Sequence, residues 1–215
     1  MEYRSIPRIS NSDLTEFRNF LFGRSEKIPV KAFAFGTALH EMILEPGKGG
    51  TNPPFVDLEL VNKLARVARE DKFLKWILQF SSKEEVRLWQ DTETGLTLKS
   101  RLDIVYKNRL VVDIKSTSCR TREDFVASCL KYDYDRQAAF YLDSLGAEEG
   151  VGRRFAFVAI QKVKPFNVWR IEYSGGSDFI EQGRHREFLG LPFVPMTWKP
   201  GLFPNDEESP STLAA

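Results

Sequence analysis

Cysteine, histidine and long apolar runs are what this 215-residue chain has little of. Cys119 and Cys129 are the only cysteines, ten residues apart, and no histidine lies near either. That excludes a four-cysteine iron–sulfur or zinc site within the chain. No apolar stretch approaches the roughly 18 residues of a membrane-spanning helix. Met1-Glu2-Tyr3-Arg4-Ser5 has no apolar signal segment, so the expected location is the cytoplasm. An excess of one charge is also missing: 31 Lys and Arg against 30 Asp and Glu leave a formal net charge of +1. A free-standing, non-specific DNA binder is usually more basic. A nucleic-acid partner would therefore need a focused positive groove, or would have to be held topologically.

What is present suits an ordinary globular protein, with 42% hydrophobic and 28% charged residues. The expectation is one domain over residues 1–204 and a disordered, acidic, small-residue tail over 205–215. Helix caps at Ser10 to Asp13 precede an apolar stripe of Leu14, Phe17 and Leu21. A second helix is expected over Phe35–Leu44, capped near Gly36 or Thr37, and residues 47–54 form a flexible Gly- and Pro-rich loop. Helical spacing runs from 57 to 80. Strands are expected at 86–90, 96–106 and 110–115, helices at 121–130 and 135–145, strands at 155–160 and 167–173, and a closing helix at 178–189. That order predicts an α/β (α+β) fold, with a mixed central sheet of about five strands flanked by helices.

The third strand carries the chemistry. Asp113-Ile114-Lys115 ends the apolar run Leu110-Val111-Val112. Alternation puts Asp113 and Lys115 on one face. The turn Lys107-Asn108-Arg109 folds this strand onto Leu102-Asp103-Ile104 and brings Asp103 near Asp113. Two carboxylates beside a lysine can hold Mg²⁺ and activate water for attack on phosphate. An isolated acid-x-lysine is more often a solvated ion pair, so the remaining pieces matter.

If Thr92 pairs with Leu96 across the Gly95 turn, Glu85 falls opposite Asp103, Val86 opposite Leu102 and Leu88 opposite Ser100. Glu85, Arg87, Lys99, Arg101, Asp103, Asp113 and Lys115 then share one face, and Val86 and Leu88 join the core face. A slip of one residue exchanges Glu85 for Glu84. His40 is either packed core or a third ligand beside the carboxylates. The small Gly36 and Ala38 near it permit close approach to a strand or phosphate. Gln137 and Tyr141 are four apart on one helix face and could contact phosphate or base, while Ala138, Phe140 and Leu142 are buried on another.

These segments, in this order, resemble the PD-(D/E)XK nucleases, and more narrowly the exonuclease VIII (RecE) nuclease domain, a relative of lambda exonuclease and the RecB nuclease domain. The similarity runs from about residue 8 to about 175. It is carried by Ile9-Ser10-Asn11-Ser12-Asp13-Leu14, Phe35 to His40, Leu44-Glu45-Pro46, Asp91 to Leu96, Arg101-Leu102-Asp103, Val112 to Thr117, and Tyr134 with Gln137 to Tyr141. Leu102 stands where the family's name has proline. The resemblance implies a restriction-endonuclease-like core. It implies that His40, Asp103, Asp113 and the Ile114 backbone carbonyl contact metal, with Lys115 catalytic and Gln137 and Tyr141 positioning the phosphate.

The expected activity is a Mg²⁺-dependent DNA exonuclease, with Mn²⁺ substituting. It would degrade duplex ends 5′ to 3′ and leave single-stranded tails for an annealing recombinase. The alternatives are a structure-specific or restriction-type endonuclease, or a non-catalytic DNA-binding module. With so little net charge, a cyclic homo-oligomer, trimer or tetramer, is expected to retain the duplex. Arg87, Lys99 and Arg101 are expected to face its channel.

Overall fold

The computed structural model describes residues 3–22, 29–47, 54–92, 94–146 and 152–187. The tail expected over 205–215 and residues 48–53 of the loop expected over 47–54 lie outside the described residues. Among the described residues, seven α-helices surround one five-stranded sheet. The helices are α1 (Asn11–Leu21), α2 (Val30–Leu44), α3 (Leu58–Glu70), α4 (Lys72–Phe80), α5 (Arg122–Lys131), α6 (Tyr134–Asp143) and α7 (Asp178–Glu187). The strands are β1 (Ser82–Gln90), β2 (Thr97–Tyr106), β3 (Leu110–Thr117), β4 (Arg154–Gln161) and β5 (Val168–Ser174), in spatial order β1-β2-β3-β4-β5. All neighbours are antiparallel except β3 and β4. That parallel pair needs a crossover, which α5 and α6 supply. Among the described residues no helix is long and apolar enough to cross a membrane.

The sheet is covered on both faces. Leu39, Ile43, Leu64, Leu74 and Ile77 of α2, α3 and α4 pack on Ile104, Val112, Ile114, Val158 and Ile160. Phe125, Ala138, Leu142 and Ile180 of α5, α6 and α7 pack on Val111, Phe155, Phe157 and Ala159. Strands buried on both faces read as continuous apolar runs, which is how β3 and β4 read here. At one end, Leu14 of α1 closes over Leu98 and Phe140. There the buried Arg136 guanidinium donates to Asn11 Oδ1 at 3.1 Å.

Local chemistry sets the boundaries. Ser10 and Asp13 form a reciprocal capping box at α1, and Thr121 and Asp124 form another at α5. The helical spacing over 57–80 belongs to two helices, because Asp71 turns its side chain onto Phe73 N and Leu74 N, at 3.1 and 2.9 Å, and caps α4. The second helix starts at Val30, not near Gly36 or Thr37. Pro29 precedes it with preset φ, and no side chain caps it, so the start carries no Ser, Thr, Asp or Asn signal. Gly36 is interior, and no atom outside its own helix backbone and chain neighbours lies within 4 Å of where its Cβ would be. It therefore makes no close approach to a strand.

The β1–β2 register differs from expectation by one residue. Asp91 Oδ2 accepts from Thr94 N and Thr94 Oγ1, both at 2.6 Å, and Gly95 adopts φ +71°. Asp91 N donates to Leu96 O at 3.0 Å, so Asp91, not Thr92, meets Leu96. Glu85 consequently pairs with Leu102, Val86 with Arg101 and Leu88 with Lys99. Glu84, between the Lys83–Ile104 and Glu85–Leu102 pairs, takes the position opposite Asp103. Val86 and Leu88 are exposed on the edge strand rather than in the core.

Gly183 marks a close helix contact. A Cβ there would run into the Asp135 carbonyl and reach 3.0 Å from Ala139 Cβ. Around it, Arg184 pairs with Asp143 at 2.8 Å and Arg186 with Asp135 at 3.2 Å, joining α7 to α6. Gly183→Ala is expected to push the helices apart and cost roughly 1–3 kcal/mol, seen as a lower melting temperature. An unchanged melting temperature would show that α7 moves away freely.

Candidate active site

The site forms where β2 and β3 part. Their ladder runs through Tyr106–Leu110, Val105–Val111 and Ile104–Val112 and then stops. Beyond the fork, Ile114 N has lost its strand partner, and Asp103 Oδ2 accepts its hydrogen bond at 2.8 Å. A carboxylate thus plugs the opening and satisfies a buried amide that would otherwise be costly. The same oxygen lies 3.4 Å from His40 Nδ1. His40 Nε2 lies 2.5 Å from the Ile114 carbonyl oxygen. The histidine therefore reaches the fork from α2, on one side of the sheet.

The other half comes from the opposite layer. Asp113 and Lys115 flank Ile114 and by alternation turn toward α6. Lys115 Nζ sits 2.8 Å from Asp113 Oδ2 and 2.8 Å from Gln137 Oε1. Gln137 Nε2 donates to Asp113 Oδ1 at 3.3 Å and to the Tyr141 hydroxyl at 3.1 Å. The Tyr134 ring faces the ammonium, its centroid 4.6 Å from Nζ.

Burial and pairing pull the titrations apart. Burial pushes the Asp113 carboxyl up and Lys115 only partly offsets this, so with Asp103 adding its own charge the pKa reaches about 6. Burial also opposes the charge on Asp103, but the charge and hydrogen bond of His40, with the Ile114 amide, outweigh it and lower that pKa. Burial opposes the imidazolium of His40 as well. There Asp103, with Asp113 behind it, prevails and raises the pKa to about 9. Lys115 is raised despite burial, chiefly by Asp113, and remains an ammonium.

The imidazolium and the ammonium thus supply the positive charge that two adjacent carboxylates need. Among the described residues no group of three or more His, Cys, Asp or Glu side chains is arranged as it stands to hold a metal ion. The donor chemistry nevertheless fits a hard cation: two carboxylates, a peptide carbonyl and an imidazole. Asp113 Oδ2 is buried and, among the described residues, accepts only from its ion-pair partner Lys115. Asp103, Asp113, the Ile114 carbonyl and, once its imidazolium gives up a proton, His40 are the groups that would hold such an ion.

The structure brings together His40, Asp103, Asp113, the Ile114 carbonyl, Lys115, Gln137 and Tyr141. Of the other four expected residues, it draws Glu85, Arg87 and Lys99 elsewhere and leaves Arg101 nearby. Glu85, displaced by the register, contacts Ser82 Oγ at 2.5 Å and pairs with Arg87. Arg87 also donates to Asn108 Oδ1 at 3.1 Å and lies on the face opposite Arg101. Lys99 is 5% exposed, and its Nζ donates to the carbonyls of Tyr3, Arg4 and Ile6. It fastens the N-terminal segment. Arg101 stays exposed near the site, 3.6 Å from Glu84 and over the Tyr3 ring. Two further residues join the site's surroundings: Glu84, the alternative to Glu85 that the register left open, and Tyr134, from the segment that carries the resemblance. Glu84 is half-buried, with a left-handed backbone (φ 52°), and burial followed by the charges of Asp103 and Glu45 raises its pKa against Arg101. Tyr134 stands three residues before Gln137, a spacing that shares its helix face.

A mixed sheet that forks beside an acid-x-lysine strand, covered by helices on both faces, is the PD-(D/E)XK nuclease fold. The chain belongs to the family described as PDDEXK-like domain of unknown function (DUF3799), which matches residues 55–188. Among curated proteins none matches it. Among solved structures, one from Eubacterium rectale named "Putative exonuclease" shares the fold with a TM-score of 0.62 at 15% identity, over 85% of this chain and 77% of its own. A phage-related exonuclease from Haemophilus somnus 129PT aligns over 84% of this chain and 90% of its own, at 13% identity and a TM-score of 0.41.

Proposed function

We propose that this chain is a divalent-metal-dependent DNA exonuclease, working on duplex ends with Mg²⁺ or Mn²⁺. The observation that carries the reading is the Lys115 ammonium, held by Asp113 and Gln137 beside a second carboxylate that is locked to the next backbone amide. That arrangement fixes an acid pair and a cation on the two edges of one strand fork. A metal ion there would polarise a phosphoryl oxygen and acidify a bound water. Lys115, charged and anchored on three sides, stabilises negative charge developing on the phosphate. Gln137 aligns Lys115 with Asp113, and Tyr141 holds Gln137. The preference for ends, the 5′ to 3′ direction and the single-stranded product handed to an annealing recombinase rest on the resemblance to exonuclease VIII. A cyclic homo-oligomer fits the weak net charge, with a channel that draws on Arg101 rather than Lys99 or Arg87.

The test is a time course with Mg²⁺ on linear duplex labelled at the 5′ or the 3′ end, and on covalently closed circular DNA. Early release of the 5′ label with the circle intact is expected. Cutting of the circle would transfer the same site to an endonuclease.

His40→Ala is expected to weaken metal affinity and activity together by about 10–100-fold. The Mg²⁺ dependence of the rate and the melting temperature are measured on one preparation. Lower stability with unchanged specific activity would reduce His40 to a packing residue.

A further inference from the structure

A second site lies at the other end of the β2–β3 hairpin. A pocket of about 430 Å³ opens between the first turns of α4 and the start of β4. That volume lies in the range of about 300–1,000 Å³ typical of small-molecule sites. Lys72, Arg154 and Arg170 bring positive charge to it, and Phe73, Trp76 and Tyr106 bring rings. Glu172 is the carboxylate that pairs with both arginines, at 2.7 Å from Arg154 and in contact with Arg170. Among the described residues, three cations face that one acid and make the lining positive, and Lys107 adds its ammonium 5.2 Å from the Tyr106 ring.

The rings are not equivalent. The Arg170 guanidinium already covers Phe73, 4.0 Å from its centroid. Tyr106 takes the edge of Trp76, with centroids 5.1 Å apart and planes at 60°. Trp76 itself is 43% exposed, a large apolar ring left partly uncovered next to arginines. A carboxylate or phosphate alone would use the cations and leave the ring idle, and an apolar ligand would leave the cations unpaired. A group that is both anionic and planar uses the whole pocket.

We infer that this pocket binds a nucleotide unit, its base stacked on Trp76 and its phosphate on Arg154 and Lys72. Stacking on aromatic residues with phosphate contacts from Arg and Lys is how single-stranded nucleic acid is held without base specificity. The occupant is either a nucleotide within a single strand or a free mononucleotide. Tyr106 and Leu110 stand three residues from Asp103 and Asp113 along their strands, roughly 10 Å, so the pocket is separate from the carboxylates. The inference stands on the pocket alone and does not depend on hydrolysis.

The experiment uses the full chain in EDTA, so that no cleavage intervenes. Binding of a short, end-labelled single-stranded oligodeoxynucleotide is followed by fluorescence anisotropy, and binding of dAMP by tryptophan fluorescence and calorimetry. Wild type is expected to bind, with Trp76→Leu and Arg154→Gln each weakening the affinity about tenfold or more at an unchanged melting temperature. Both side chains are substantially exposed, so neither change should unfold the chain. Tight binding of the oligonucleotide with weak dAMP binding assigns the pocket to a strand. Equal affinity for dAMP assigns it to a free nucleotide. No binding of either probe, or affinity unaffected by both substitutions, would overturn the inference.

Discussion

Asp113→Asn is expected to abolish cleavage while making the metal-free protein more stable. The Asp113 side chain is 3% exposed, and its Oδ2 is held by the Lys115 ammonium 2.8 Å away. Burial first, then the neighbouring Asp103, hold its pKa near 6, above the ordinary carboxylate value. A folded-state pKa raised in this way means that the folded form prefers the protonated acid. The group's stabilising contribution is complete below the unfolded pKa near 4 and is lost as pH rises through about 6. At pH 7 the ionised side chain is therefore a liability of roughly 1–3 kcal/mol that the neutral amide removes. The melting temperature of the metal-free variant should exceed that of wild type at pH 7, and the gap should close as pH falls through 6 toward 4. A variant that cleaves, or one less stable than wild type across this range, contradicts the placement of Asp113 as a strained carboxylate awaiting a cation.

Lys115→Ala should separate metal binding from rate. The ammonium touches Asp113, Gln137 and the Tyr134 ring, and none of these contacts is needed for Asp103 or the Ile114 carbonyl to meet a cation. Turnover is expected to fall by about 10²–10⁴-fold, with calorimetric Mg²⁺ affinity retained or increased once the competing ammonium has gone. Loss of Mg²⁺ binding with turnover retained would reverse the assignment.

The sequence reveals most of the site because the strand period is strict. Asp113 and Lys115 share a face whatever the rest of the fold does, and the short Lys107–Arg109 turn brings Asp103 alongside. Gln137 and Tyr141 meet through the helical four-residue repeat. Failures occur where one side chain decides the outcome. The Asp91 side chain lengthens the β1–β2 loop, and this single hydrogen-bonding choice shifts Glu85 away, brings Glu84 opposite Asp103 and exposes Val86 and Leu88. Lys99 reads as a surface cation, yet three carbonyls from the N-terminal segment draw it inward, a contact 93 to 96 residues distant in sequence. The fork between β2 and β3 is equally illegible, since it shows only in which ladder bonds are absent and in the carboxylate that replaces one.

The most direct test of the central assignment is hydrolysis of linear duplex DNA by the purified chain in Mg²⁺, then in excess EDTA, then with Mg²⁺ restored, with Asp113→Asn in parallel. The expected result is acid-soluble nucleotide released by wild type only while metal is free, recovered when Mg²⁺ is returned, and absent from the variant throughout. Hydrolysis that continues in EDTA, or that is equal in the variant, would contradict a metal-dependent centre built on Asp103, Asp113 and Lys115.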